Sequence, residues 1–355
     1  MKAMVLKEIC EIETEEKASH ITGLPVKARP LVMTELPVPE PGPEEIVIKV
    51  SFCGICHTEL DQIEGRITPP KLPVIPGHQP VGTVALTGEK VSRFGVGDRA
   101  GAAWIFSCCG VCEFCKSGLE NLCNQFKGTG CHENGGYAEY MLINENFAYK
   151  IPDNLEDLAE VAPLMCSGIV GYRSLKLSGI ANGKNLGLYG FGSAHHIVIQ
   201  IANFLLPDSK KFVLTRNALE RELAKKLGAY WTGDIEDKTP EKLDCIIDTT
   251  PVWKPVVFAL ENLERGGRLV INLIRKEETD KEQYLLKLNY PSHLWMEKEI
   301  KTVANVTRKD AEEFLSLASR IKIRPEVRSY DLQDANGALV DLKMGRFPGS
   351  KILEI

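Results

Sequence analysis

The chain has 355 residues, enough for two domains at the usual size of about 100–200 residues each. Hydrophobic residues at 44% and charged residues at 26% exclude a fibrous or disordered protein. A net charge of −5, with no block of Lys or Arg, argues against a nucleic-acid or anionic-membrane binder, which needs basic side chains to neutralise phosphates.

In chain order, residues 1–8 lack the apolar stretch of a signal peptide. No apolar run reaches the roughly 20 residues of a membrane-spanning helix. A cytoplasmic protein is expected, a reducing setting in which clustered thiols serve as metal ligands or redox groups more than as disulfides. The first 150 residues read as β-rich. Ile46, Ile48, Val50 and Phe52 alternate with polar or small residues and place one strand face in a core. Pro and Gly punctuate the region, and Phe94-Gly95-Val96-Gly97-Asp98 reads as a tight turn between two strands.

Past Ile151-Pro152-Asp153-Asn154 the pattern changes. Apolar strands at Leu186–Tyr189, Lys211–Leu214, 243–247 and 268–273 alternate with helices that end at Leu205 and Leu227. That spacing predicts right-handed βαβ units and a parallel sheet. The second helix carries a capping-box pattern in Asn217 and Glu220, an apolar stripe of Leu219, Leu223, Ala224 and Leu227, and a stop at Gly228. From about Asn305 the alternation gives way to helix, strand, helix and a final strand at 351–355, a tail expected to return to the first domain.

Five of the 11 cysteines fall between Cys108 and Cys123. Cys109, Cys112, Cys115 and Cys123 have the composition and spacing of a closed tetrahedral zinc site, which leaves no coordination position for chemistry and is therefore structural. The fourth cysteine of a ferredoxin run comes sooner and is followed by Pro, whereas Asn124 follows Cys123, which disfavours an iron–sulfur cluster. Cys108 reads as a bystander. Cys53-Gly54-Ile55-Cys56-His57 matches covalent haem attachment, but that chemistry belongs outside the cytoplasm and the match is short.

Set beside Gly77-His78-Gln79 and Cys166, the same stretch offers a second zinc site. Cys56, His78 and Cys166 form the two-thiolate, one-imidazole set of a catalytic zinc with an open position. Here the chain resembles the zinc-dependent alcohol dehydrogenases of the medium-chain dehydrogenase/reductase superfamily. The motifs Gly54-Ile55-Cys56-His57-Thr58, Gly77-His78, the four-cysteine lobe, Gly136-Tyr137-Ala138-Glu139-Tyr140, Cys166 and a glycine turn at Gly190 run in that family's order over nearly the whole chain.

The resemblance implies an α/β protein: a chaperonin-10-like β-rich catalytic domain at 1–157 and 305–355, with a doubly wound, parallel-sheet Rossmann domain at 158–304. It implies hydride transfer between a small alcohol or aldehyde and a nicotinamide cofactor, with Thr58 relaying the alcohol proton. Glu59 would orient His78, and His57 would lie near the cofactor pyrophosphate. It also implies a homo-oligomer, tetramer or dimer. Trp104 and Ile105 are pocket residues by resemblance and core residues by type. Asp61 stands where many relatives carry a relay histidine, and reads as a proton acceptor or a solvent-facing acid. Gln79 replaces a glutamate. Polyol and cinnamyl-alcohol-type enzymes would share this chemistry, and a nucleotide-binding sensor without turnover would share the fold. Polyol enzymes tend to carry a carboxylate where Cys166 stands, and retention of Thr58 and three ligands argues against the sensor.

Leu186-Gly187-Leu188-Tyr189-Gly190-Phe191-Gly192 is a strand entering a glycine turn, with Ser193 and Ala194 opening the next helix. Gly190 and Gly192 let the backbone approach a pyrophosphate at that helix terminus. His195 replaces the third glycine, and it and His196 read as packing or surface residues. The following strand ends in Thr215-Arg216, without the acid that NAD enzymes use for the ribose hydroxyls. A neutral residue followed by Arg favours the 2′-phosphate of NADP over NAD.

Overall fold

Neighbouring residues of a strand point to opposite faces, and the apolar alternation at residues 46–52 forms strand β1, Glu45–Ile55. Ile46, Ile48 and Val50 enter the core, but Phe52 stays outside it. The register shifts between Val50 and Phe52, a bulge that turns Cys53 and Ile55 inward instead. Helix α1, His57–Ile63, follows at once. On one edge β1 pairs antiparallel with β2, Pro80–Thr87, which pairs with β3, Arg99–Ala102. On the other edge the first half of β1 pairs with Tyr140–Asn144 and its last residues with Ser350–Glu354, Cys53 opposite Leu353.

This computed structural model describes residues 1–14 and 24–355. They divide into two units, Met1–Cys166 with Thr307–Ile355, and Ser167–Val306. The boundaries lie at 166/167 and 306/307 rather than the expected 157/158 and 304/305, because two short turns, Leu158–Val161 and Ala162–Met165, remain with the first unit. Met165 is the reason near β3: a Cβ built on Gly101 would stand 3.1 Å from its terminal methyl. The tail forms the helix Arg308–Ile321, the strand Val327–Asp331, the helix Ala335–Lys343 and the strand Ser350–Glu354, the last two strands joined in parallel.

The second unit holds a parallel sheet of the Rossmann type. Its strands are β4 (Leu186–Tyr189), β5 (Lys211–Leu214), β6 (Trp231–Gly233), β7 (Leu243–Asp248), β8 (Leu263–Ile271) and β9 (Glu299–Thr302), in the order β6-β5-β4-β7-β8-β9. Strand order reverses beside β4, the switch point at which open parallel sheets bind ligands. Helix α2, Ser193–Leu205, leaves β4 through the glycine turn, and α3, Ala218–Lys226, leaves β5. In α3 the apolar stripe is buried only at Leu223 and Ala224, while Leu219 is exposed; Gly228 stops the helix with φ +93°. Among the described residues no helix is long and apolar enough to cross a membrane.

Candidate metal centres and dinucleotide turn

The bulge in β1 and the abrupt start of α1 aim Cys56 at the first centre. Cys56 is the extended residue before the helix, and its N–H donates to Glu59 Oε2 at 2.8 Å. The other carboxylate oxygen, Oε1, lies 2.5 Å from His78 Nδ1. Glu59 is fully buried, so both its oxygens are spent on fixing the two neighbours. His78 follows Gly77, whose φ of +98° and close approach to Tyr137 leave no room for a side chain. Cys166 arrives at the end of the turn Ala162–Met165. The ligand atoms of Cys56, His78 and Cys166 lie within 4.8 Å of one another.

The chemistry of this donor set fits a cation. With Nδ1 engaged by Glu59, Nε2 is the histidine atom left for a metal, the usual arrangement of a carboxylate-oriented ligand. Burial pushes His78 down, but the Glu59 carboxylate and the Cys56 side chain override it and hold the imidazole up at about 10. Cys56 is drawn well below the usual thiol range, first by its hydrogen bond with Cys166 and then by His78, while the same bond pushes Cys166 well up. The two thiols thus act on each other as a hydrogen-bonded pair. Surroundings that stabilise this much positive charge on a buried ring suit a divalent ion, and three ligands leave a tetrahedral ion one free position.

The neighbours of the centre differ from expectation in several places. Asp61 is buried rather than solvent-facing, 7% exposed, because Arg66 Nε donates to its Oδ1 at 2.6 Å. Arg66 also reaches Glu64, which in turn accepts from Lys343 and from the backbone of Ile12. Gln79 is buried over Gly54. Trp104 packs edge-on against His78, with ring centroids 5.2 Å apart, whereas Ile105 belongs to the core. Thr58 Oγ1 is 3.7 Å from Cys56 Sγ, and His57 is exposed. Cys53 is locked in the core with its thiol pushed well up by burial, so the haem-like motif presents no common face.

The second centre is built differently. Cys109, Cys112, Cys115 and Cys123 bring four sulfur atoms within 4.8 Å of one another. Backbone groups organise them: Cys112 N donates to Cys109 Sγ at 3.4 Å and Gln125 N to Cys123 Sγ at 3.3 Å. The N–H groups of Val111 and Cys112 draw the Cys109 thiol down to about 6. Four preorganised thiols suit a closed tetrahedral ion. Cys108 packs against the core beside them.

In the second unit the turn after β4 has Gly190 at φ +76°, against Thr249 and Thr250, and Gly192 before α2 with no side chain capping the helix. The positive end of the helix dipole at such a terminus favours an anion. Ser193 bonds Ser167 at 2.8 Å, and Ala194 follows in the same turn. Neither His195 nor His196 is a surface residue. Both are fully buried, with His195 Nδ1 donating to Gly190 O at 2.6 Å and His196 Nδ1 to Gly192 O at 3.2 Å. Thr215 is buried at the end of β5 and Arg216 beside it is exposed. The predicted capping box is only half present. Asn217 accepts from Leu219 N, but Glu220 turns away to accept from Thr215 Oγ1 at 2.5 Å.

Residues 42–153 match the family described as the alcohol dehydrogenase GroES-like domain. Over 336 residues the chain is 40% identical to a probable alcohol dehydrogenase, AdhA, of Mycobacterium tuberculosis (strain CDC 1551 / Oshkosh), covering 93% of this chain and 94% of that relative. It is 33% identical over 338 residues to an alcohol dehydrogenase of Geobacillus stearothermophilus, covering 93% and 96%. Among solved structures, the alcohol dehydrogenase of the archaeon Aeropyrum pernix superposes with a TM-score of 0.84 at 24% identity, over 100% of both chains, a likeness of fold.

Proposed function

We infer the reaction from the premise that this chain belongs to the zinc-type alcohol dehydrogenases of the medium-chain dehydrogenase/reductase superfamily. It is an NAD(P)-dependent oxidoreductase of alcohols and aldehydes. We propose that Cys56, His78 and Cys166 hold the catalytic zinc and Cys109, Cys112, Cys115 and Cys123 a structural one, two ions per chain. The observation that carries this reading is the convergence of three ligand atoms within 4.8 Å beside a buried carboxylate that orients the histidine.

Held by Cys56, His78 and Cys166, zinc would supply a Lewis acid for the alcohol oxygen, and bound NAD(P) would supply the hydride acceptor. Thr58, beside Cys56, takes the alcohol proton and passes it outward. Glu59 keeps His78 in one tautomer with Nε2 forward. Trp104, packed on His78, keeps water from that ring. Asp61, held by Arg66, does not serve as a mobile end to the relay. Gly190, Gly192, Ser193 and Ala194 would hold the pyrophosphate at the N-terminus of α2, and His57 is kept as a cofactor residue by resemblance alone. Thr215 and Arg216 favour NADP over NAD. The substrate is a primary or secondary alcohol, or the aldehyde or ketone formed from it. The protein works as a cytoplasmic homo-oligomer, and none of its 11 cysteines forms a disulfide.

The test is metal analysis together with nicotinamide absorbance, comparing NADPH and NADH against small aliphatic and aromatic aldehydes. Two zinc ions per chain and faster consumption of NADPH are expected. Protein that holds both ions and oxidises neither cofactor across the panel would sink the catalytic assignment.

A further inference from the structure

The end of β5 carries an acid that the sequence pattern hides. In NAD enzymes a carboxylate at this strand end accepts hydrogen bonds from the adenosine ribose hydroxyls, and here the strand itself ends in Thr215. The carboxylate comes instead from the first turn of α3: Glu220 Oε2 accepts from Thr215 Oγ1 at 2.5 Å and is thereby fixed at the strand end. Arg221 is committed elsewhere, its guanidinium donating to Thr215 O at 2.5 Å and lying 3.8 Å from Asp234, the residue after β6. The segment and the residue it reaches thus carry two cations, Arg216 and Arg221, and two anions, Glu220 and Asp234, with Arg221 beside Asp234 and Arg216 exposed. A subsite selective for a ribose 2′-phosphate needs an excess of positive charge, because that group carries about −1.5 to −2 charges. This one is balanced.

We propose that Glu220 is a cofactor-specificity residue: it takes the place of the missing strand-end acid, accepts the ribose hydroxyls of NAD, and holds the NADP preference of Arg216 to a few-fold by repelling the 2′-phosphate. The inference rests on the reading of the Gly190–Gly192 turn as a dinucleotide site. It separates two charges of opposite effect on one short segment, Arg216 drawing the phosphate in and Glu220 opposing it.

The experiment is isothermal titration of the zinc-loaded protein with ADP and with adenosine 2′,5′-bisphosphate, a readout that needs no turnover. Glu220→Gln keeps an acceptor for Thr215 and so preserves the local fold. It is expected to tighten the bisphosphate and weaken ADP, moving the ratio of their affinities about tenfold toward the bisphosphate, or about 1.4 kcal/mol. Glu220→Asp, which keeps the charge on a shorter arm, is expected to stay nearer the parent ratio. A Glu220→Gln ratio within twofold of the parent overturns the proposal alone, because Arg216→Ala still reports separately on the phosphate contact. Failure of the parent to bind either nucleotide overturns both this proposal and the dinucleotide reading beneath it.

Discussion

His78 in the first unit and the pair His195 and His196 in the second are equally buried, at 1%, 0% and 0% exposure, yet they are pushed in opposite directions. His78 is held up at about 10 against its burial by Glu59 and Cys56, while burial pushes His195 and His196 down to about 4. Burial is common to all three, so it does not decide. The partner does: a carboxylate and a thiolate stabilise a cation on His78, whereas the carbonyls of Gly190 and Gly192 ask only for a neutral ring that donates one proton. The first unit gathers charge by side chains, as a metal centre requires. At the glycine turn of the second unit the two buried rings are instead kept uncharged.

The harshest way to break this contrast is to remove a metal ligand. Cys166→Ser is expected to lower kcat/KM at least ~1,000-fold, about 4 kcal/mol of transition-state stabilisation, while circular dichroism stays that of the parent. Cys112→Ser should do the reverse, leaving activity per folded chain nearly intact but lowering the thermal midpoint by about 5 °C as the lobe loses its ion. Matching behaviour in the two variants would refute the division into a catalytic and a structural site.

Acid separates the two histidine classes. In the unfolded chain His195 and His196 titrate near 6.5, and in the folded protein near 4. Below 6.5 the unfolded state therefore takes up protons that the native state refuses, and stability falls as pH drops from about 6.5 toward 4. Each ring contributes a loss approaching 3 kcal/mol, roughly, at the acid end. Thermal melts between pH 7.5 and 4.5 should show it, and His195→Asn should flatten the slope; an unchanged slope would remove His195 from the account.

Smaller effects sharpen the comparison. Glu59→Gln leaves a hydrogen-bonding group beside His78 but removes the charge, and a zinc affinity reduced ~10–100-fold is expected in competition with a chelating dye. Arg216→Asp should shift the NADPH-to-NADH ratio of kcat/KM toward NADH by about tenfold, near 1.4 kcal/mol. A ratio that holds steady would return Arg216 to an ordinary surface role.

The convergence of Cys56, His78 and Cys166 was legible because they are rare residue types in a fixed order, and a cysteine or histidine declares its chemistry wherever it sits. Strands β4 and β5 were legible to the residue because their apolar runs are short and bounded by glycine or polar residues. Strand β9 was not, since all four of its residues are exposed at the sheet edge and carry no apolar pattern. Asp61 was misjudged because its burial is created by Arg66, five residues away, and by Glu64 and Lys343 beyond it. The inward turn of Cys53 depends on a bulge that alternation alone does not reveal. Glu220 looked like a helix cap because spacing reports which groups are near in sequence, and the competing partner, Thr215, lies on the strand before.

The pairing of Cys53 with Leu353 bears on how the protein is made. Strand β1, which leads into Cys56, has part of its edge closed by Ser350–Glu354, a segment translated only after the whole of Ser167–Val306. Domains tend to fold as units during synthesis, so the later-encoded unit is the first able to finish, and the metal centre waits with its thiols in an incomplete sheet. A nascent chain arrested after residue 306 should accordingly show protease resistance over 167–306 and reactive cysteines at 56 and 166. Completion of the pocket formed by Cys56, His78 and Cys166 is then expected late in the life of the chain, timed by translation.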